Sequence, residues 1–131
     1  MKKNALLNIA ISELIASLGH GDMLVIADAG LPIPAESWRI DLALTRGVPG
    51  FVETLETILQ EMQVERFILA EETGQVSPHI QAAIQVLLPN TPVEVVTHLQ
   101  LKELTKDARA VVRTGEFTPY ANVILVSGVV F

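Results

Sequence analysis

Side chains that can exchange protons or bind hydroxyl groups are concentrated in three short segments of the chain. The first segment is Gly19-His20-Gly21-Asp22, where two glycines flank an imidazole and a carboxylate follows. Histidine gains and loses a proton near pH 7, so His20 could act as a general acid or base while Asp22 orients or charges the ring. The alternative is a turn whose histidine faces solvent at the C-terminus of a helix, where a cation is favoured.

The second segment is Ala27-Asp28-Ala29-Gly30, which directly follows an apolar run. A carboxylate at the carboxyl edge of a parallel sheet lies where such folds bind ligands, and it can hold sugar hydroxyls or act as a base. Alternatively, Asp28 caps a loop by accepting nearby backbone N–H groups. Because one strand separates His20 from Asp28, the two are expected at opposite ends of it unless a second subunit brings them together.

The third segment is the ten-residue loop Arg113–Asn122, which lies between two apolar strand patterns and contains a guanidinium, a carboxylate, a phenol and a carboxamide. Loops rich in such groups and held by rigid strands are common binding sites. Tyr120 and Asn122 are two residues apart, so on an extended segment their side chains face the same way, as a polyhydroxylated ligand requires. The alternative is that Tyr120 packs and Asn122 closes a turn.

The three histidines of the chain do not form a metal-binding pattern, and there is no cysteine. We therefore expect no metal. His98 follows another predicted strand, where a lone histidine is more often a helix cap or a surface residue than a ligand. His79 falls in the first turn of a predicted helix and is interpreted as structural. The glycine-rich nucleotide-binding motifs are also absent.

Strands that alternate with helices must position these segments. The predicted helices cover 5–18 (Asn4 as N-cap and Gly19 as the left-handed C-terminal residue), a segment opened by Pro49, 77–90 and 99–106. The predicted strands cover 23–27, 38–44, 66–70, 93–96, 110–112 and 123–126, with a polar loop at 71–77. This order predicts one domain over residues 1–131, a three-layer α/β/α fold with a mostly parallel central sheet of about six strands.

The charge and the apolar content of the chain exclude some classes of function. The net charge of −6 and the pI near 4.9 argue against nucleic acid and against an anionic membrane surface. No apolar run reaches the ~20 residues that cross a bilayer. Apolar residues make up 50% of the chain before its eight glycines are counted, against about 45–50% with glycine in ordinary globular proteins. This excess predicts a subunit interface and hence a homo-oligomer.

Taken together, these residues resemble the bacterial D-ribose pyranase family, which includes L-fucose mutarotase. The similarity extends from the N-terminus to Phe131. Its most specific blocks are Leu18-Gly19-His20-x-Asp22, Ile26–Pro34, Arg39-Ile40-Asp41, Thr97-His98 and Arg113–Asn122.

The resemblance implies a cytoplasmic, cofactor-free isomerase that interconverts the pyranose and furanose forms of ribose by general acid–base catalysis. It implies pentameric rings stacked into a decamer, with sites shared between neighbouring subunits. It assigns the proton donor to His20 and sugar binding to five residues, which are Asp28, His98, Tyr120, Ala121 and Asn122. The general base stays open between one of these groups and a water molecule.

Three other functions remain as alternatives. One is the same chemistry on another sugar, such as L-fucose. Another is a non-catalytic sugar-binding accessory of ribose uptake. A phosphocarrier with phosphorylated His20 is disfavoured by the acidic balance and by the lack of basic residues around this histidine.

Overall fold

The computed structural model describes all 131 residues and contains five helices and six strands. The helices are α1 (Ile9–Ser17), α2 (Phe51–Leu59), α3 (Glu71–Val76), α4 (Pro78–Leu87) and α5 (His98–Thr105). The strands are β1 (Met23–Ala27), β2 (Arg39–Asp41), β3 (Val64–Ala70), β4 (Val93–Val96), β5 (Ala110–Arg113) and β6 (Val123–Ser127). None of the helices has the length and apolar character needed to cross a membrane.

All six strands form one sheet in the order β2-β5-β1-β6-β3-β4. Five strands run in the same direction, and β6 is antiparallel to both of its neighbours, β1 and β3. The predicted α/β fold with a mostly parallel six-stranded sheet is therefore confirmed. Because β5 and β6 lie on either side of β1 and run in opposite directions, the chain between them must cross the carboxyl end of β1.

The two faces of the sheet carry separate hydrophobic cores. In β1, Leu24 and Ile26 face a core of 21 buried residues, whereas Val25 and Ala27 face a core of nine. Helices α1, α2 and α4 cover the larger core, and α5 with the segment 31–33 covers the smaller one. Burial on both faces explains why β1 is a continuous apolar run and confirms the three-layer arrangement.

The first helix begins later than the sequence pattern predicts. Asn8, and not Asn4, is the N-cap: its Oδ1 accepts the Ile11 backbone N–H at 2.9 Å. Leu6 packs into the larger core before the helix begins. The prediction of a left-handed Gly19 is also wrong, since the residue with positive φ in this turn is Gly21, at 84°.

The polar segment 71–77, predicted as a loop, instead contains the helix α3. Glu71 and Glu72 lie in its first turn, where carboxylates are favoured by the helix dipole. Other boundaries differ by a few residues, including those of β2 and α2. Strand β2 ends at Asp41 because the chain turns back at 44–48, where the Leu44 N–H donates to the Val48 carbonyl. Helix α2 begins at Phe51 with Gly50 as its N-cap.

Candidate active site

Four segments with polar side chains meet at the carboxyl edge of the sheet. Asp28 follows β1, Glu72 follows β3 and His98 follows β4. The loop 114–122 joins β5 to β6 and crosses the end of β1 between them. The carboxyl edge of an open α/β sheet is the usual place for a ligand. The sheet thus brings together Asp28, His98, Tyr120, Ala121 and Asn122, which are distant in sequence.

Asp28 and Asn122 are held to each other by two hydrogen bonds. The Asn122 Nδ2 donates to Asp28 Oδ2 at 3.1 Å, and the Asp28 backbone N–H donates to Asn122 Oδ1 at 2.9 Å. Asn122 is 1% exposed, so its amide is committed to this pairing. The other Asp28 oxygen, Oδ1, accepts the Gly30 N–H at 2.9 Å. Asp28 therefore caps its own loop, as one interpretation of the sequence predicted, and also presents a fixed carboxylate at the edge.

Tyr120 has a left-handed backbone with φ of 61°, which is uncommon for a bulky residue. Such a conformation costs about 1–3 kcal/mol and persists only where surrounding contacts impose it. Here the Thr73 hydroxyl donates to the Tyr120 carbonyl at 2.8 Å, and the Ser77 hydroxyl donates to the Pro119 carbonyl at 2.6 Å. Strained backbone is concentrated at functional sites, so Tyr120 is a marker of one.

His98 is fixed through both its backbone and its ring. Its N–H donates to Glu72 Oε2 at 2.6 Å, and its ring meets the Tyr120 ring edge-on with centroids 5.0 Å apart. The His98 Nδ1 atom is buried and forms no hydrogen bond within the chain. Most buried polar atoms are paired, so this nitrogen is a ready partner for a ligand hydroxyl.

Asp28, His98 and Tyr120 line a cavity of about 260 Å³, just below the usual range for small-molecule sites, whereas Asn122 lies beneath it. Its lining residues are Asp28, Gly30, Leu31, Pro32, His98, Pro119 and Tyr120. A second hollow of about 370 Å³ shares Asp28, Gly30 and Pro119 with it. A further hollow of about 270 Å³ between α1 and α2 has Glu53 as its only titratable residue and lies away from this chemistry.

Arg113, the last residue of β5, and Glu116 of the loop 114–122 support the loop through hydrogen bonds within the chain. Arg113 donates from Nε to the Ala29 carbonyl at 3.0 Å and pairs with Asp41 at 3.1 Å. Glu116 accepts hydrogen bonds from the Phe51 N–H at 3.1 Å and from the Thr118 hydroxyl at 2.8 Å. Burial raises the pKa of Glu116, but these bonds and those from neighbouring backbone N–H groups outweigh it and lower the pKa overall.

His20 lies at the opposite edge of the sheet from Asp28, as expected. The five residues of β1 at ~3.3 Å each put roughly 16 Å between the two edges. The His20 side chain is 63% exposed, and its Nε2 lies 2.6 Å from Glu65 Oε2. Asp22 makes no hydrogen bond to the imidazole. Its carboxylate instead accepts the Gly19 N–H at 2.8 Å and contacts the Arg109 guanidinium at 3.4 Å.

The model of the RbsD / FucU transport protein family matches residues 1–130. The chain belongs to this family. It is 68% identical to a D-ribose pyranase of Chloroflexus aggregans and 56% identical to one of Clostridium perfringens, over the full length of each protein. Its fold matches that of Bacillus subtilis RbsD complexed with D-ribose at a TM-score of 0.97, with 46% identity and complete coverage of both chains.

A second RbsD / FucU relative has a more distant sequence and the same fold. The Streptococcus pneumoniae fucose mutarotase in complex with L-fucose is 25% identical and has a TM-score of 0.85 over the whole of both chains. The family resemblance predicted from the sequence is therefore confirmed.

Several residues of the site were not predicted from the sequence. Thr73 and Glu72 were assigned to a loop, and Ser77 was interpreted as a helix cap, although its hydroxyl bonds to Pro119. The sequence did indicate that Glu72 could lie at the site, because Glu71 and Glu72 directly follow a predicted parallel strand, as Asp28 does. Glu65 carried no such signal, since it precedes the predicted strand at the other edge.

Proposed function

We propose that this protein is an isomerase that interconverts the pyranose and furanose forms of D-ribose by general acid–base catalysis, without a cofactor. The observation that carries the proposal is one small cavity lined by the Asp28 carboxylate, which Asn122 holds, by the unpaired His98 Nδ1 and by the strained Tyr120. The full-length similarity to proteins named D-ribose pyranase supports the same reaction.

The residues of the cluster have complementary binding roles in this proposal. The Asp28 carboxylate accepts hydrogen bonds from sugar hydroxyls, and Asn122 fixes its orientation. The buried His98 Nδ1 gains the partner that it lacks within the chain. The backbone at Tyr120 and Ala121, together with the Tyr120 phenol, completes the contacts. Fixed donors and acceptors of this kind select a polyhydroxylated ligand over an apolar one.

Each ring opening and each ring closure requires two proton transfers. An acid protonates the ring oxygen as its bond to the anomeric carbon breaks, and a base takes the proton of the anomeric hydroxyl. The open aldehyde then closes through a different hydroxyl, which changes the ring size. We assign the acid to His20, with Asp22 as a nearby charge that tunes it. General acid–base assistance is worth about 10²–10⁴-fold, which suits a reaction that also proceeds unaided.

This assignment requires a site shared between subunits, since His20 and Asp28 lie at opposite edges of the sheet. We propose a homo-oligomer, pentameric rings stacked as a decamer, in which His20 of one subunit faces the cavity of its neighbour. Exposed apolar side chains support an interface. They include Leu7, Ile9, Leu44, Val86, Leu99, Val130 and Phe131. A cytoplasmic location belongs to the same proposal and follows from the family resemblance.

The test is saturation transfer by NMR between the anomeric protons of ribopyranose and ribofuranose, with and without the protein. The wild-type protein should accelerate exchange, and His20→Ala should lower the acceleration by about 10²–10⁴-fold while ribose still binds. His79→Ala is the matched control, because His79 is an exposed histidine of α4 without a side-chain hydrogen bond.

Other results would select the alternatives. Binding of ribose without faster exchange would indicate a sugar-binding accessory. Faster exchange of L-fucose anomers with no effect on ribose would indicate a mutarotase for that sugar. Normal exchange in His20→Ala would remove His20 from the acid role.

A further inference from the structure

We propose that Glu65 is a positioning residue that holds the His20 imidazole by Nε2, so that Nδ1 is the nitrogen that exchanges a proton with the sugar. This inference rests on the proposed function, in which His20 is the acid. It assigns the hydrogen bond that holds the imidazole to a residue 45 positions away along the chain, and it leaves Asp22 as a nearby charge.

The first observation is the contact itself. His20 Nε2 and Glu65 Oε2 are 2.6 Å apart, a short distance that fits a charge-assisted hydrogen bond. Glu65 forms no other side-chain hydrogen bond. The nearest charged neighbour along β3, Arg66, pairs with Glu94 at 2.9 Å. The Glu65 carboxylate is thus committed to the imidazole alone.

The second observation is the backbone at Glu65. Val64 pairs with Ser127 and Arg66 pairs with Val126, so two steps along β3 match one step along β6. Glu65 is therefore the extra residue of a β-bulge, a feature that re-aims a side chain and is common beside active sites. Gly128 leaves the room for it, because a Cβ there would lie 3.1 Å from the Glu65 Cβ.

The third observation concerns the other charged groups at this edge. The carboxylate of Asp22 bonds to the Gly19 N–H and to Arg109, which holds it away from the imidazole. His20 has no second hydrogen-bond partner in the chain, so Nδ1 is free while Nε2 is engaged. The exposed ring can then present Nδ1 outward, towards the cavity of a neighbouring subunit.

The chemistry follows from which nitrogen is engaged. A carboxylate accepts hydrogen bonds, so it keeps the proton on Nε2 in both the neutral and the charged ring. The charged ring donates its Nδ1 proton to the ring oxygen as the anomeric C–O bond breaks, while the base takes the anomeric hydroxyl proton. On closure, neutral Nδ1 takes the proton of the attacking hydroxyl and the base returns its proton to the carbonyl oxygen. Both groups end in their starting states.

The test compares Glu65→Ala and Glu65→Gln with the wild-type protein in the saturation-transfer assay. Glu65→Ala should lower kcat by about 10- to 100-fold, the range seen when a metal-binding histidine loses the partner that orients it. KM should change little, because the proposed ribose ligands lie at the other edge. Glu65→Gln should retain more activity, since its amide oxygen still accepts the Nε2 proton. Glu56→Gln, which alters an exposed carboxylate of α2, is the control and should match wild type.

The second measurement reads the imidazole directly in wild-type protein labelled with ¹⁵N-histidine, with the His20 signals identified by their loss in His20→Ala. We expect a protonated Nε2 throughout and a proton that titrates on Nδ1, and Glu65→Ala should weaken this preference. Titration at Nε2 in the wild type would overturn the proposal. So would wild-type kcat in Glu65→Ala, or a lower kcat with unchanged His20 signals. Normal exchange in both His20→Ala and Glu65→Ala would instead refute the acid role of His20.

Discussion

The two ends of β1 are built in different ways. At the carboxyl end, Asp28, Asn122 and Tyr120 are fixed by hydrogen bonds within the chain, and Asn122 is 1% exposed. At the amino end, His20 is 63% exposed and is held by one contact, to Glu65. One end is an ordered set of polar groups, and the other presents a single imidazole to solvent.

In the proposed function, this difference separates binding from proton transfer. Groups that recognise a ligand gain affinity when they are already ordered before it arrives. A side chain that acts on a ligand bound to a neighbouring subunit must instead be exposed on the surface of the subunit that carries it. In the proposed oligomer each subunit therefore contributes a rigid cavity and an exposed acid. The contrast predicts that substitutions at the carboxyl end of β1 reduce stability and ribose affinity, whereas substitutions that affect His20 at the amino end reduce kcat.

The largest effect on stability is expected from glycine substitutions that compare the two ends. In Gly115→Ala the new Cβ would lie 2.5 Å from the carbonyl oxygens of Thr45 and Val48, which are backbone atoms. We expect a loss of about 3 kcal/mol in the free energy of unfolding, at the upper end for overpacking. Gly21→Ala has positive φ but open space around the Cβ, so it should cost about 1–2 kcal/mol.

Urea denaturation at one fixed protein concentration measures both losses. Gly19→Ala is the control, because Gly19 lacks a positive φ and the nearest atom to its Cβ is a side-chain oxygen 3.6 Å away. A cost of Gly115→Ala no larger than that of Gly21→Ala would mean that the carboxyl end is as loosely built as the amino end.

The contrast was only partly predictable from the sequence. The apolar run 23–27 predicted β1 and therefore the separation of His20 from Asp28, because a strand has a fixed rise per residue. The residues that surround Asp28 in the structure were recognised in the sequence only as parts of separate polar segments. The antiparallel placement of β6 beside β1 was not predicted, since strand order depends on long-range packing that no local pattern reports.

The partners within each end were the hardest to predict. Asp28 and Asn122 are 94 positions apart, and His20 and Glu65 are 45 apart. The sequence predicted Asp22 as the partner of His20 because the two are close in sequence. The turn directs its carboxylate to Gly19 and Arg109 instead. The β-bulge that re-aims Glu65 arises from the pairing of β3 with β6, so the hydrophobic pattern of residues 64–70 does not predict it.

The next effect in size is expected from Asn122→Ala, which acts on the carboxyl end alone. The substitution leaves the Asp28 N–H without its acceptor and frees the carboxylate to rotate. An unpaired buried group costs about 1–3 kcal/mol in stability, and we expect ribose affinity to fall about tenfold.

Calorimetric titration with ribose measures this loss of affinity, and Asn90→Ala, at an exposed asparagine after α4, is the control. Since Glu65→Ala is expected to change kcat and not affinity, the two variants should have opposite kinetic signatures. Unchanged ribose affinity in Asn122→Ala would contradict the proposal that the carboxyl end of β1 binds the sugar and the amino end transfers the proton.

The smallest effect is expected from Glu116→Gln, which tests whether the support beneath the carboxyl end is electrostatic. The pKa of Glu116 lies below its usual value of 4.5, so the folded state favours the charged carboxylate. This contribution to stability is complete above that value and is lost as the pH falls through it towards the lower folded pKa. At pH 7 the substitution should cost about 1 kcal/mol in unfolding free energy.

Urea denaturation at a series of pH values then shows whether Glu116 stabilises the fold through its charge or through its packing. The difference between wild type and Glu116→Gln should be constant near neutral pH and should shrink as the pH falls through 4.5. Glu13→Gln, which changes an exposed carboxylate of α1 without a hydrogen bond, should show no such trend. If the Glu116→Gln difference stayed constant with falling pH, Glu116 would support the loop through packing and hydrogen bonds that do not depend on its charge.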